Sequence, residues 1–326
     1  MSVVMKRDDR IDYLKAFACI AVVCCHVFMS RGECSGFPAH WGALWLLAYT
    51  VCNPLFFAIA GWLNHEDHLL VYLKKKVKRI LLPFCVFSLL KILYSTFISS
   101  YYAHGDTVLL QLMDAFVFGR LYWFAYAIFG AMMLAPLLWK MSNAWLFTVF
   151  VISIGLSLLS GYFPALLQIK AVFSMFPCFV AGMLARRIFK SRLADSQVER
   201  LLMVKYGVMA LSCIGIVLYF AYAFSRGMPY AVPSRIPYFL GAVSLALPLI
   251  WGVSHLPQGI AWLSFVGRNS WSIMLLDPFF KVILVRFFES SYSTVLVILL
   301  DVVLSALTCR LLMRVPGNFV FGVAPR

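Results

Sequence analysis

The chain has 326 residues, of which 63% are hydrophobic and only 13% are charged. Soluble domains carry about 25% charged residues, so this composition excludes an ordinary soluble protein. Apolar runs of about 20 residues recur along the chain, and each is long enough to cross a bilayer as a helix. We therefore predict an all-α, polytopic integral membrane protein.

The apolar runs predict about ten transmembrane helices. In chain order they cover residues 14–31, 43–63, 80–101, 121–139, 144–162, 168–185, 206–225, 235–253, 269–288 and 294–313. No connecting segment is long enough for a soluble domain. Residues 1–326 are therefore interpreted as one membrane-embedded domain, in which residues 1–13 form a short cytoplasmic N-terminal segment.

The net charge of +15 raises the possibility of a nucleic-acid partner, but the positions of the basic residues argue against it. With ten spans and the N-terminus inside, most lysines and arginines fall in cytoplasmic loops, including the groups at 74–79 and 186–205. This is the charge asymmetry that sets membrane topology. We expect cytoplasmic N- and C-termini, contact with membrane lipid and no nucleic-acid partner.

The first span carries two ionisable side chains, Lys15 and His26, which are eleven positions apart. At about 100° per residue both project from one helix face, roughly 16 Å apart along the axis. Asp12 is near the same face and could pair with Lys15. Ionisable groups in a membrane usually face a bundle interior or a polar cavity. The residues alone also allow a histidine hydrogen-bonded within the bundle and a lysine that extends to the interface.

Two further patterns concern ligands. A basic run at residues 74–79 could bind an anionic ligand, or could serve only to fix topology and contact anionic lipid. The nine cysteines form no CxxC pattern, so they are interpreted as packing residues, and no metal site is predicted.

Five motifs then occur in a fixed order between residues 10 and 280, and together they resemble the acyltransferase 3 family. They are RIDYLKAFACIAVVCCH, NPLFFAIAGWLN, YLKKKVKRILLPF, LYWFAYAIF and FVGRNSWSIMLLDPFF. The first contains the family's basic residue and histidine separated by ten positions. Within the family, the chain looks closest to the group related to fucose 4-O-acetylases.

The resemblance implies a multi-pass enzyme of the bacterial inner membrane that moves an acyl group onto a hydroxyl. The implied donor is an acyl-CoA, most often acetyl-CoA, used as a substrate without any permanently bound cofactor. The implied acceptor is a carbohydrate in a surface polysaccharide, O-antigen, capsule or lipid-linked glycan. The resemblance indicates no particular protein partner.

The resemblance also implies roles for individual residues. His26 is the predicted catalytic residue, either as general base on the acceptor hydroxyl or as acyl carrier. Lys15, supported by Asp12, could bind donor phosphates or line the path toward His26.

Five residues are predicted to bind the phosphates of coenzyme A. They are Lys75, Lys76, Arg79, Arg268 and Ser270. Asn269 or Ser270 would also cap the ninth span, and ordinary capping is an equal alternative to ligand binding.

The chain departs from the family pattern at two places. Asp277 stands where relatives commonly have histidine, and an ion pair with Lys281, four residues later, is the simpler interpretation. Cys52 and Asn53 occupy the region where close relatives often have histidine. Asn53 and Trp123 are predicted to contact the acceptor, although an interhelical hydrogen bond and an interfacial anchor are the respective alternatives.

Two other functions stay open. The acceptor could be a lipid, a peptide or a small molecule. Alternatively, the chain could be a transporter or flippase of glycan intermediates or small solutes that uses His26 in a proton relay.

Overall fold

The computed structural model describes residues 9–35, 39–97, 107–192, 198–225, 235–288, 290 and 293–323. Within these ranges the secondary structure is helical and contains no strand, which confirms the predicted all-α class. The predicted N-terminal segment lies mostly outside the described residues, since the description begins at Asp9.

The described ranges contain thirteen α-helices. They are α1 (Asp9–Ser35), α2 (Ala39–Trp62), α3 (Leu69–Lys76), α4 (Leu82–Phe97), α5 (Val108–Phe116), α6 (Trp123–Leu138), α7 (Asn143–Leu158), α8 (Ile169–Arg192), α9 (Val198–Ser225), α10 (Arg235–Ser254), α11 (Ala261–Arg268), α12 (Ser270–Phe287) and α13 (Thr294–Leu312). A π-helical segment, Val77–Leu81, joins α3 to α4, and a short 3-10 helix, Asn318–Phe321, follows α13.

Each of the ten predicted spans coincides with one of these helices. Six of them, α1, α2, α7, α8, α10 and α13, contain a segment long and apolar enough to cross a membrane. The apolar parts of α6 and α9 are shorter, α4 has only 16 residues, and α12 carries Asp277, Lys281 and Arg286. The chain is therefore a multi-pass membrane protein by its helices, whereas the count of ten and the cytoplasmic termini stay predictions.

The chain divides into two compact units. Unit 1 comprises Met1–Leu55 and Gln197–Leu307, and unit 2 comprises Phe56–Ser196 and Thr308–Arg326. The family motifs are shared between them.

Unit 1 is built around α1, which packs along α11 and α12. Gly267 permits this close approach, because a Cβ atom there would lie 1.8 Å from the carbonyl oxygen of Asp12. The hydroxyl of Tyr13 donates to the carbonyl of Pro257 (3.0 Å) and accepts from the backbone N–H of Ile260 (2.8 Å). These contacts fix the rotation of α1 against its neighbours, and with it the direction of the His26 side chain.

In unit 2 the end of α2 packs directly on α8. A Cβ on Gly61 would lie 1.9 Å from the carbonyl oxygen of Phe179, and one on Gly182 would lie 1.9 Å from that of Ala58. The two glycines therefore allow backbone-to-backbone contact, as small residues do in membrane helix pairs.

A hydrogen-bond network then holds α3 in place within unit 2. The Asn64 amide donates to the Tyr72 hydroxyl (2.8 Å), and that hydroxyl donates to the carbonyl of Met132 (2.9 Å). The Trp139 indole N–H donates to the Asn64 side-chain oxygen (2.8 Å). The basic run lies at the end of α3 and in the π-helical segment that follows. This network, by holding α3, therefore positions the first lysines of the run.

Candidate active site

His26 lies on α1 and is hydrogen-bonded through Nδ1 to Oδ2 of Asp277 on α12. The carboxylate is completely buried, whereas 38% of the imidazole surface is exposed. One edge of the ring is thus fixed by a buried acid, and the rest of the ring is accessible.

This contact selects one form of the neutral imidazole. A carboxylate accepts hydrogen bonds, so Nδ1 must carry the hydrogen and Nε2 keeps its lone pair. The same partner stabilises the imidazolium that forms when Nε2 takes up a proton. The pair therefore has the arrangement required of a general base.

The interpretation of Asp277 from sequence was wrong. The structure pairs its carboxylate with His26 on another helix, and not with Lys281 on its own helix. The i,i+4 rule considers only neighbours along one helix, whereas α1 and α12 are brought together by tertiary packing. The signal available in the sequence was a single acidic residue in an apolar run.

Asp301 on α13 extends this buried group and was missed by the sequence analysis. Its carboxyl interacts electrostatically with that of Asp277, and its Oδ1 accepts from the Ser305 hydroxyl (3.2 Å). Asp301 and Ser305 are completely buried. An aspartate in the run TVLVILLDVVLSALTC was a detectable signal, because ionisable residues in apolar spans are usually functional.

Lys15 lies on α1 and contacts Asp12, with 3.3 Å between Nζ and Oδ1, so the predicted pairing is present. Asp12 is buried, and 21% of the Lys15 side-chain surface is exposed. The catalytic and donor-binding roles of these two residues stay predictions.

The described part of α2 in unit 1 contributes Cys52 and Asn53, both buried. Cys25, which precedes His26 on α1, donates through its thiol to the carbonyl of Trp45 on α2 (4.0 Å) and interacts electrostatically with Cys52. These interactions place this part of α2, which includes Asn53, beside the His26 region of α1. All described cysteines are free thiols.

Arg268 and Ser270 lie at the junction of α11 and α12, also in unit 1. The Arg268 Nε–H donates to the carbonyl of Ser264 (3.2 Å), and the side chain is exposed. Ser270 is buried, and its carbonyl accepts from the Cys19 thiol (3.6 Å). Asn269 occupies the N-cap position of α12 but makes no side-chain cap bond, and its amide donates instead to the carbonyl of Phe265.

The basic run forms a separate cluster in unit 2, at the end of α3 and in the π-helical segment. Lys76 is half-buried, with Nζ 4.9 Å from the centre of the Tyr72 ring, and Arg79 is exposed. Burial, together with the positive charges of Arg79 and Lys75, lowers the pKa of Lys76 to about 8. Lys76 and Arg79, both predicted from sequence to bind the donor, are thus close enough for their like charges to interact.

Two of the other three lysines of this run, Lys75 and Lys78, have local partners. Lys75 forms an ion pair with Asp67, with 2.6 Å between Nζ and Oδ2, and this hydrogen bond lowers the pKa of Asp67. Lys78 stacks over the ring of Phe319, 3.8 Å from its centre. Lys76 and Arg79 are consequently the best candidates for an external anion.

Trp123 begins α6 and is half-buried, with its ring edge-on to that of Phe124 at 6.0 Å between ring centres. Unit 2 also contains a cleft of about 180 Å³ beside Arg186 and Arg187. Both arginines donate to backbone carbonyls, including those of Asn64 and Trp139, so they stabilise the ends of α2 and α6.

The helices and the buried histidine–carboxylate pair define a multi-pass membrane protein with a site suited to acid–base catalysis. The chain belongs to the acyltransferase 3 family, since the model of that family, described as an acyltransferase domain, matches residues 8–314. It is therefore a membrane acyltransferase, as the sequence motifs predicted. No curated protein and no solved structure matches the chain.

Proposed function

We propose that this chain is an O-acetyltransferase that moves an acetyl group from acetyl-CoA to a hydroxyl of a carbohydrate in a bacterial envelope. The observation that carries the proposal is the pairing of a partly exposed His26 with the completely buried Asp277. Within a family of acyltransferases, this pair is the group best arranged to activate an alcohol.

The chemistry follows from the state of the imidazole. An alcohol attacks a thioester poorly until a base removes its proton. Nε2 of His26 takes that proton as the alcohol oxygen bonds to the acyl carbon. The carbon–sulfur bond then breaks, and the imidazolium returns a proton to the departing thiolate. Asp277 holds the ring and balances its positive charge during both transfers.

The donor is proposed to contact the positive cluster on α3. Coenzyme A carries phosphate groups, and guanidinium and ammonium groups form charge-assisted hydrogen bonds with phosphate. Lys76 and Arg79 are close enough for their charges to repel each other, so an anion between them would relieve that repulsion. Lys75 is proposed as a secondary contact in the same unit, and Arg268 and Lys15 are separate candidates in unit 1.

The acceptor is proposed to lie near the exposed face of His26. Asn53 is near this region through the Cys25–Cys52 interaction, and its amide can bind a sugar hydroxyl. Trp123, in unit 2, is a separate candidate for an acceptor contact, because its aromatic surface can pack against a sugar ring.

The decisive experiment compares His26→Ala with His255→Ala in cells that otherwise lack the protein. His255 is an exposed histidine of the same unit and is the matched control. Proton NMR of purified surface polysaccharide should show O-acetyl signals with the wild-type protein and with His255→Ala, and none with His26→Ala at equal membrane abundance.

Identical spectra from all strains would contradict the proposed acceptor. In that case, release of free CoA from acetyl-CoA by isolated membranes would distinguish acylation of another acceptor from transport. Transport without any thioester cleavage would overturn the enzymatic proposal.

A further inference from the structure

The buried carboxyls of Asp277 and Asp301 pose a problem of hydrogen bonding within unit 1. Both side chains are completely buried, and the two carboxyls interact electrostatically. Two ionised carboxylates cannot hydrogen-bond each other, because neither has a hydrogen to donate.

The other contacts of the pair leave one oxygen of each carboxyl without a donor. Asp277 accepts from His26 through Oδ2, and Asp301 accepts from Ser305 through Oδ1. Oδ1 of Asp277 and Oδ2 of Asp301 are buried and have no hydrogen-bond partner in the described part of the chain. A buried acceptor without a donor is costly, and two adjacent buried negative charges are costlier still.

We propose that Asp301 carries a proton that it donates to Asp277, so that Asp301 is a positioning residue for the His26–Asp277 pair. One proton between the carboxyls satisfies both remaining oxygens. Asp277 then stays the charged member, held by His26 on one side and by Asp301 on the other. Ser305 orients Asp301 by donating to its second oxygen.

The groups around Asp277 and Asp301 are consistent with one negative charge on the two carboxyls together. Lys281 interacts electrostatically with Asp301, and Cys24 and Cys25 interact with Asp277. With Asp301 neutral, Asp277 carries the single negative charge of the pair, and the imidazolium of His26 balances that charge during the reaction. Asp301 keeps its proton throughout and touches no reacting atom.

This inference rests on the proposed role of His26, but it makes a prediction that is independent of activity. The infrared spectrum of the purified protein should contain the carbonyl band of a protonated carboxylic acid at neutral pH. Asp301→Asn should remove this band, while Ser305→Ala should shift it, since the hydroxyl donates to the same carboxyl. An unchanged band in Asp301→Asn would overturn the proposal even if acyl transfer is never detected.

The activities of matched amide variants provide the second test. An asparagine at 301 can still donate to Asp277 and accept from Ser305, so Asp301→Asn should retain acyl transfer close to the wild-type level. Asp301→Ala removes the donor and should lower activity about tenfold, by analogy with the outer hydrogen bonds that orient metal ligands.

Two activity results would overturn the proposal. One is an Asp301→Asn variant that is as inactive as Asp277→Asn at equal abundance, which would require a charged Asp301. The other is full activity of Asp301→Ala. If the alanine variant does not accumulate in membranes, the comparison of the two asparagine variants and the infrared band still decides the question.

Discussion

Around His26 the charged and polar groups are buried and contact one another, whereas at the end of α3 like charges stand together at the surface. In unit 1, Asp277, Asp301 and Ser305 are completely buried, and Asp277 and Asp301 accept hydrogen bonds from His26 and Ser305. In unit 2, burial, together with the positive charges of Arg79 and Lys75, lowers the pKa of Lys76. The first arrangement fixes the geometry of the proposed catalytic histidine, and in the second a bound anion would relieve the repulsion between like charges.

Asp277→Asn is the strongest test of this difference between the two regions, because we expect it to have the largest effect on acyl transfer. Loss of the carboxylate removes both the orientation of His26 and the charge that stabilises its imidazolium. By analogy with serine-protease triads, acyl transfer should fall roughly 10²- to 10⁴-fold. CoA release from acetyl-CoA by membranes with matched protein content is the measurement.

Lys281→Gln is the matched control for that variant, because Lys281 was the alternative partner of Asp277. We expect its activity to stay much nearer to wild type. Equal losses in the two variants would favour an ion pair within α12 and would contradict the role assigned to the His26–Asp277 contact.

An intermediate effect is expected from the positive cluster. Lys76→Ala combined with Arg79→Ala should raise the KM for the acyl donor about tenfold or more, since each charge-assisted hydrogen bond contributes about 1.5–3 kcal/mol. The kcat should change little, because neither residue touches the reacting atoms. Arg120→Ala, which removes an exposed arginine of the same unit, should leave the KM unchanged. A fall in kcat alone would contradict this assignment.

The smallest effect is a pH dependence of donor affinity. Lys76 is positively charged below its pKa of about 8 and neutral above it. Donor affinity should therefore decrease as the pH rises through about 8, by less than the full effect of the double variant because Arg79 stays charged. Lys76→Arg should remove this decrease. A donor KM that rises equally in wild type and Lys76→Arg would assign the titration to another group.

The sequence predicted the two regions unequally well. The basic run is continuous along the chain, so its location was visible in the sequence, and the family resemblance indicated Lys76 and Arg79 within it. The Lys15–Asp12 contact was predicted from helical spacing. His26 was identified by its rarity in an apolar span, but its partner on α12 was missed.

The sequence by itself determined the helical membrane class, the family and the contact of Asp12 with Lys15 within one helix. Hydrophobic length, charge distribution and short-range spacing carry that information. Only the tertiary structure decided that Asp277 contacts His26 and that Asp301 interacts with Asp277. These residues are separated by 251 positions in the first case and lie on different helices in both. Their contacts depend on how α1, α12 and α13 pack. Close backbone contacts, such as that of Gly267 with Asp12, set the rotation and depth of a helix. No local sequence pattern specifies such contacts.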